Sequence, residues 1–126
     1  MKYEMRAKTS IHPTEDLDKV IEALSNIFDY EELEIDDDQI VVTGEDESLL
    51  KLKEALEKRK IRNTARKIMI KGSHDKFVFF KLNKQAAFSG VVNFTEDNLS
   101  SLGEITVKIE TDNVEGFIDW IAPLQE

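Results

Sequence analysis

Apolar and polar side chains alternate one for one across "YEMRAKTSI". Tyr3, Met5, Ala7, Thr9 and Ile11 fall on one side, and Glu4, Arg6, Lys8 and Ser10 on the other. A period of two predicts a half-buried strand. His12-Pro13 ends it, because proline has no N–H to give to a ladder. The period then lengthens. Leu17, Val20, Ile21, Leu24 and Phe28 recur at helical spacing, which predicts a helix over about residues 15–28. Thr14 is its expected N-cap, with Glu15 and Asp16 well placed in the first turn. Two short strands follow, "ELEI" and "QIVVTG", joined through Asp36, Asp37 and Asp38, residues suited to a hairpin loop.

Asp46 or Ser48 can cap the next helix, whose apolar stripe is Leu49, Leu52 and Leu56. At about 100° per residue, one continuous helix would carry that stripe to the far side by Ile61, Ala65, Ile68 and Met69. The shift predicts a break near residues 59–63 and a second short helix, with Asn63 as N-cap and Gly72 just past its end. "KFVFFKL" is apolar at consecutive positions and reads as a strand covered on both faces. "AAFSGVVNF" reads as a further strand, straight or bent, and "TEDNLSSLG" as a loop. "EITVKIET" alternates again as a strand. A last helix, capped by Asp112 or Asn113, packs through Val114, Phe117, Ile118 and Ile121 and stops before Pro123.

The expected order is β-α-β-β-α-α-β-β-β-α. It predicts an α+β fold with a mainly antiparallel sheet and helices packed on one face, in one domain over residues 1–126. A chain this long buries roughly two-thirds of its unfolded surface, so a metal or disulfide is not needed to hold it. It contains no cysteine, which excludes a disulfide framework, a thiolate metal site and a thiol nucleophile. No apolar run approaches the ~20 residues of a membrane span. The first ten residues lack the apolar core of a signal peptide, so a cytoplasmic location is expected.

Charge changes this picture. The total is −9, yet residues 58–84 carry ten cations (Lys58, Arg59, Lys60, Arg62, Arg66, Lys67, Lys71, Lys76, Lys81 and Lys84) against Asp75 alone. That segment is +9, which leaves −18 for the rest. Asymmetry of this kind signals a charged partner. On the expected helix Arg62 and Arg66 flank one side of the core stripe, and Lys60, Lys67 and Lys71 the other. A burial requirement on one face does not explain so many cations on the flanks. At physiological salt the Debye length is ~8 Å, so an approaching phosphate feels the local cations rather than distant acids. The opposing reading is neutralisation. Asp29, Glu31, Glu32, Glu34, Asp36, Asp37 and Asp38 could lie across from the basic helix, within one chain or in a symmetric homodimer.

Other chemistry is thin. His12 and His74 are the only histidines, and neither has ligand neighbours at a metal-binding spacing. The aspartates at 36–38 lack the spacing of a calcium loop. There is no glycine-rich phosphate loop, no nucleophile elbow, and no cofactor, metal or catalytic set to name. Phe77-Val78-Phe79-Phe80 matches the second half of a known RNA-binding strand signature, but Ser73, His74, Asp75 and Lys76 do not supply its first half. These phenylalanines are therefore expected in the core. Asn83, Lys84 and Gln85 interrupt apolar sequence beside the basic region, and either extend a binding face or form a turn.

"NTARKIMIKG", "FKLNKQAAFSGVVNF", "IDWIAP" and "HPTEDLDKVIEALSNIF" resemble a family of small archaeal proteins classed as predicted RNA-binding. The resemblance spans nearly the whole chain, and "NKQAAF" is its most specific block. It implies an archaeal source and a fold similar to the large-subunit ribosomal protein that contacts the five-S RNA, again an α+β domain. It supplies no catalytic residue. The leading expectation is a non-enzymatic RNA-binding domain in which Arg59, Arg62, Arg66, Lys67 and Lys71 contact phosphates, with Lys81, Asn83 and Lys84 as a second bank. The alternative is a self-associating scaffold protein whose basic helix pairs with acidic surface.

Overall fold

The computed structural model describes residues 1–96 and 103–124. Six strands, β1 (Glu4–Ser10), β2 (Glu32–Ile35), β3 (Gln39–Glu45), β4 (Ser73–His74), β5 (Phe77–Asn83) and β6 (Glu104–Glu110), form one sheet in the order β2-β3-β1-β6-β5-β4. Every pairing is antiparallel. Five helices accompany it: α1 (Leu17–Ile27), α2 (Leu50–Lys58), α3 (Arg62–Lys71), α4 (Lys84–Phe88) and α5 (Val114–Ile121). The α+β class and the antiparallel sheet agree with the sequence pattern.

The alternation in β1 works as expected. Tyr3, Met5, Ala7 and Thr9 are buried, and Glu4, Arg6 and Lys8 are exposed. The buried side joins Ile40 and Val42 of β3, Val78, Phe80 and Leu82 of β5, and Ile105, Val107 and Ile109 of β6 in one core cluster. Val20, Leu24 and Ile27 of α1, Leu52 and Leu56 of α2, Ala65 and Met69 of α3, and Phe117, Ile118 and Ile121 of α5 close it from the helical side. The predicted break stands between α2 and α3, where Lys60 adopts a left-handed backbone (φ 57°). Gly72 ends α3 with its backbone pressed on β5: the Phe79 N–H donates to the Gly72 carbonyl at 2.9 Å.

Several local expectations are corrected. Asp16, not Thr14, caps α1, accepting from the Asp18 N–H at 2.9 Å. Neither α2 nor α3 has a side-chain cap; their N-cap positions are Leu49 and Ile61, so Asp46, Ser48 and Asn63 do not serve. Asn113 caps α5 as expected. The largest difference is at 84–94. The expected strand is instead α4, capped by Asn83 Oδ1 accepting from the Ala86 N–H, followed by irregular chain with one isolated bridge, Leu82 to Phe94. β5 is also not covered on both faces. Phe80 is core, but Phe79 is 42% exposed and Phe77 half-buried on the opposite face. The loop expected around "TEDNLSSLG" falls largely on residues 97–102, outside the described residues.

Candidate nucleic-acid interface

The sheet separates the two charged regions. β2, with Glu31, Glu32, Glu34 and the aspartates beyond it, forms one edge. α3 packs against β5 near the other. Four strand spacings of ~4.8 Å put β2 and β5 about 19 Å apart, more than two Debye lengths at physiological salt. The acidic run therefore does not lie across from the basic helix within the chain. One of its members, Asp29, pairs instead with Lys51 of α2 at 3.0 Å.

The predicted cations differ sharply in how they are held. Lys67 is exposed on the outer flank of α3. Lys71, one turn further, is also exposed and lies 3.7 Å from Glu96, a loose surface pair. Arg66 is half-buried, with Nη1 2.7 Å from Asp119 and donating to the Ala122 carbonyl at 3.3 Å, which ties α3 to the end of α5. Arg59 is exposed, but its Nη1 donates to the Val92 carbonyl and, at 2.9 Å, to Asn93 Oδ1, pinning the chain after α4. Arg62 is half-buried, and its Nε is buried without a hydrogen-bond partner among the described residues. Lys81 is half-buried on β5.

Asn83 and Lys84 are placed differently from a surface bank. Asn83 spends its side-chain oxygen on the α4 cap. Lys84 is fully buried at the start of α4, donating to Glu15 Oε1 at 2.8 Å and to the Ser10 carbonyl at 2.5 Å. Burial alone would push the Glu15 carboxyl up. Hydrogen bonds from Lys84 and the His12 N–H, together with the Lys84 charge, outweigh burial and hold it below its ordinary 4.5. The Lys84 ammonium is thus a clasp between α4 and the end of β1, and no polyanion reaches it. Sequence reasoning had no signal for the pairing, because its partners are 69 and 74 positions away.

Among the described residues no group of three His, Asp or Glu side chains is arranged to hold a metal ion. No described helix is long and apolar enough to cross a membrane.

A solvated α+β sheet with a basic flank fits the class of protein to which the comparisons point. A family model described as RNA binding matches residues 4–111, and the chain belongs to that family. Among its curated relatives is a UPF0201 protein of Methanothermobacter thermautotrophicus, 45% identical over 120 residues that cover 95% of this chain and 91% of the relative. The crystal structure of a UPF0201 protein from Methanococcus jannaschii is similar, with TM-score 0.82 and 39% identity over 98% of this chain and 95% of that one. A further UPF0201 crystal structure gives TM-score 0.84 at 38% identity, covering 97% and 94%.

Proposed function

We propose that the chain binds RNA without catalysing a reaction on it, and that its phosphate contacts come from the basic end of the molecule. Lys67 and Lys71 on the outward flank of α3 lead, with Arg59 and Arg62 beside the start of that helix and Lys81 on β5. The observation that carries this reading is the separation of charge: the segment 58–84, formally +9, lies around α3 and β5 about 19 Å from the acidic β2 edge. Although Arg66, Lys71, Lys76 and Lys84 pair with Asp119, Glu96, Asp112 and Glu15, the Lys71 and Lys76 pairs are loose and exposed. Arg66 is engaged with Asp119 and serves the fold first; Lys84 is buried and takes no part. Guanidinium groups suit bidentate phosphate contact and ammonium groups point-charge attraction.

Filter binding of a structured RNA across a salt series tests this. A duplex contact with Z phosphates gives a log–log slope of about −0.9Z. Lys67→Glu with Lys71→Glu is expected to weaken binding and flatten the slope by roughly two. Unchanged affinity and slope remove these residues from the interface. A second reading is head-to-tail self-association of the acidic edge of one copy with the basic end of the next, which the same separation would also serve. Sedimentation without RNA at low and high salt separates the two: a monomer under both conditions excludes self-association.

A further inference from the structure

The sheet face turned away from the helices carries two phenylalanines where polar residues would serve. Phe79 is 42% exposed. Phe77 stands beside it, the ring centroids 5.9 Å apart. Lys108, opposite Phe79, lays its ammonium over the Phe77 ring, 4.8 Å from the centroid. The strand register extends this pair into rows. Arg6 faces Lys108, which faces Phe79; Lys8 faces Thr106, which faces Lys81. With strands ~4.8 Å apart, Arg6 lies about 10 Å from Phe79, and the next row lies about 7 Å along the strands. An aromatic surface is therefore bordered by cations within one nucleotide's reach.

Acids share this face: Glu32 stands two strands beyond Arg6 in the row that runs through Lys108 to Phe79, and Glu34 stands likewise in the row of Lys8. Glu45, Glu4 and Glu110 form the row that ends at Phe77, and with Glu31 and Glu32 they line a hollow of about 360 Å³ that Arg6 and Lys108 also line. On its other side Phe79 joins a cleft of about 590 Å³, shared with Lys81, with Ile68 and Lys71 of α3, and with Glu96, the loose partner of Lys71. The acids thus lie along the β2 side and the Glu4–Glu110 end, while the Phe79 side of the face adjoins the basic helix.

The geometry points to a stacking platform for the unpaired bases of single-stranded RNA, centred on Phe79 with Phe77 adjoining, the backbone held by Arg6, Lys8 and Lys108. This rests on the RNA-binding reading above and adds the form of RNA recognised. Every base has a π-face, so stacking on an aromatic ring holds single strands with little sequence preference. A duplex keeps its bases stacked on each other and presents only phosphates and groove edges. The acidic row directs the strand away from Glu4 and Glu110, past Phe79 and along the cleft toward Lys71.

The test is fluorescence anisotropy of the whole chain with two probes: a labelled oligouridylate of about ten nucleotides, within the ~4–16 nucleotides such platforms cover, and a short RNA duplex. Phe79→Leu keeps apolar bulk and removes the ring. It is expected to weaken oligouridylate binding about 5- to 150-fold per lost stack and to leave duplex binding within about twofold. Phe79→Tyr, which keeps a ring, is expected to restore the single-strand affinity; thermal unfolding checks that both variants are folded. Wild-type protein that binds neither probe overturns the RNA reading, and this inference with it. Wild-type binding to the oligouridylate that survives Phe79→Leu overturns the platform alone. Equal loss on both probes also overturns it, because a duplex has no base to stack.

Discussion

Replacing Lys84 by methionine should unfold this protein more readily than losing any surface lysine. Lys84 and Glu15 are 0% and 6% exposed at the side chain, and their charged atoms are 2.8 Å apart. Methionine fills most of the same space but leaves the Glu15 carboxylate out of water with only the His12 N–H donating to it. Removing one partner of a buried pair costs about 3–5 kcal/mol. At roughly 2 cal/mol/K per residue, a chain of 126 residues has an unfolding entropy of ~0.26 kcal/mol/K, so Tm should fall by about 11–19 °C. Thermal unfolding followed by circular dichroism measures the shift in Tm, and urea unfolding the free energy. The double variant Lys84→Met with Glu15→Leu removes both charges and should recover most of the loss, because apolar replacement of a whole buried pair is often neutral. The pH dependence carries a sign as well. In the wild type the Glu15 carboxyl is held below its ordinary 4.5, so its contribution is complete above that value and disappears as pH falls through the lower folded pKa. Without the ammonium, burial prevails and raises the carboxyl, and the variant should instead lose stability as pH rises above about 4.5. A single variant within ~1 kcal/mol of wild type, or a double variant no better than the single, refutes the pair as a stabilising clasp.

Two further substitutions probe close contacts. Gly72→Ala places a Cβ 2.0 Å from the Phe79 carbonyl oxygen, a backbone atom that cannot step aside. Because the Gly72 φ of −88° suits any residue, the cost is steric, and a loss of at least ~2 kcal/mol in chemical denaturation is expected; Gly72→Ala matching wild type would show that α3 does not sit against β5 as described. Tyr3→Phe deletes the hydroxyl that accepts from the buried Leu49 N–H at 3.0 Å and should cost about 1–3 kcal/mol, read from the same denaturation curves. No change there would mean that water reaches the start of α2.

Much of the fold follows from local pattern, and the residues show where pattern stops. Alternation in β1 and β6, the aspartate hairpin between β2 and β3, and the jump of the apolar stripe between Leu56 and Ile61 are all local signals, and each element stands where it was expected. The stretch 84–88 was not readable this way. "KQAAF" is apolar enough to pass for a strand, and what makes it a helix is Asn83 capping Ala86 while Lys84 reaches Glu15 across the sheet. "FVFF" misled for a different reason. Consecutive apolar residues usually mean two covered faces, but here only Val78 and Phe80 point to the core. The cations of the basic segment are identical in sequence terms, yet Arg66 finds Asp119, Arg59 finds the backbone at Val92, and Lys67 stays outside. No spacing rule separates them, since their partners come from α5 and from the chain after α4.

The strand order has a consequence for how the molecule is made. β1 occupies the middle of the sheet between β3 and β6, and Glu4 stands beside Glu110. A nascent chain that has released β1, β2 and β3 from the ribosome holds a three-stranded half whose inner margin has no neighbour until β6 is translated. Ribbon margins of that kind recruit foreign strands. Joining such distant segments is slow, and through that wait the one charged face of β1, with Glu4, Arg6 and Lys8 turned outward, is the feature that disfavours a foreign strand at this margin.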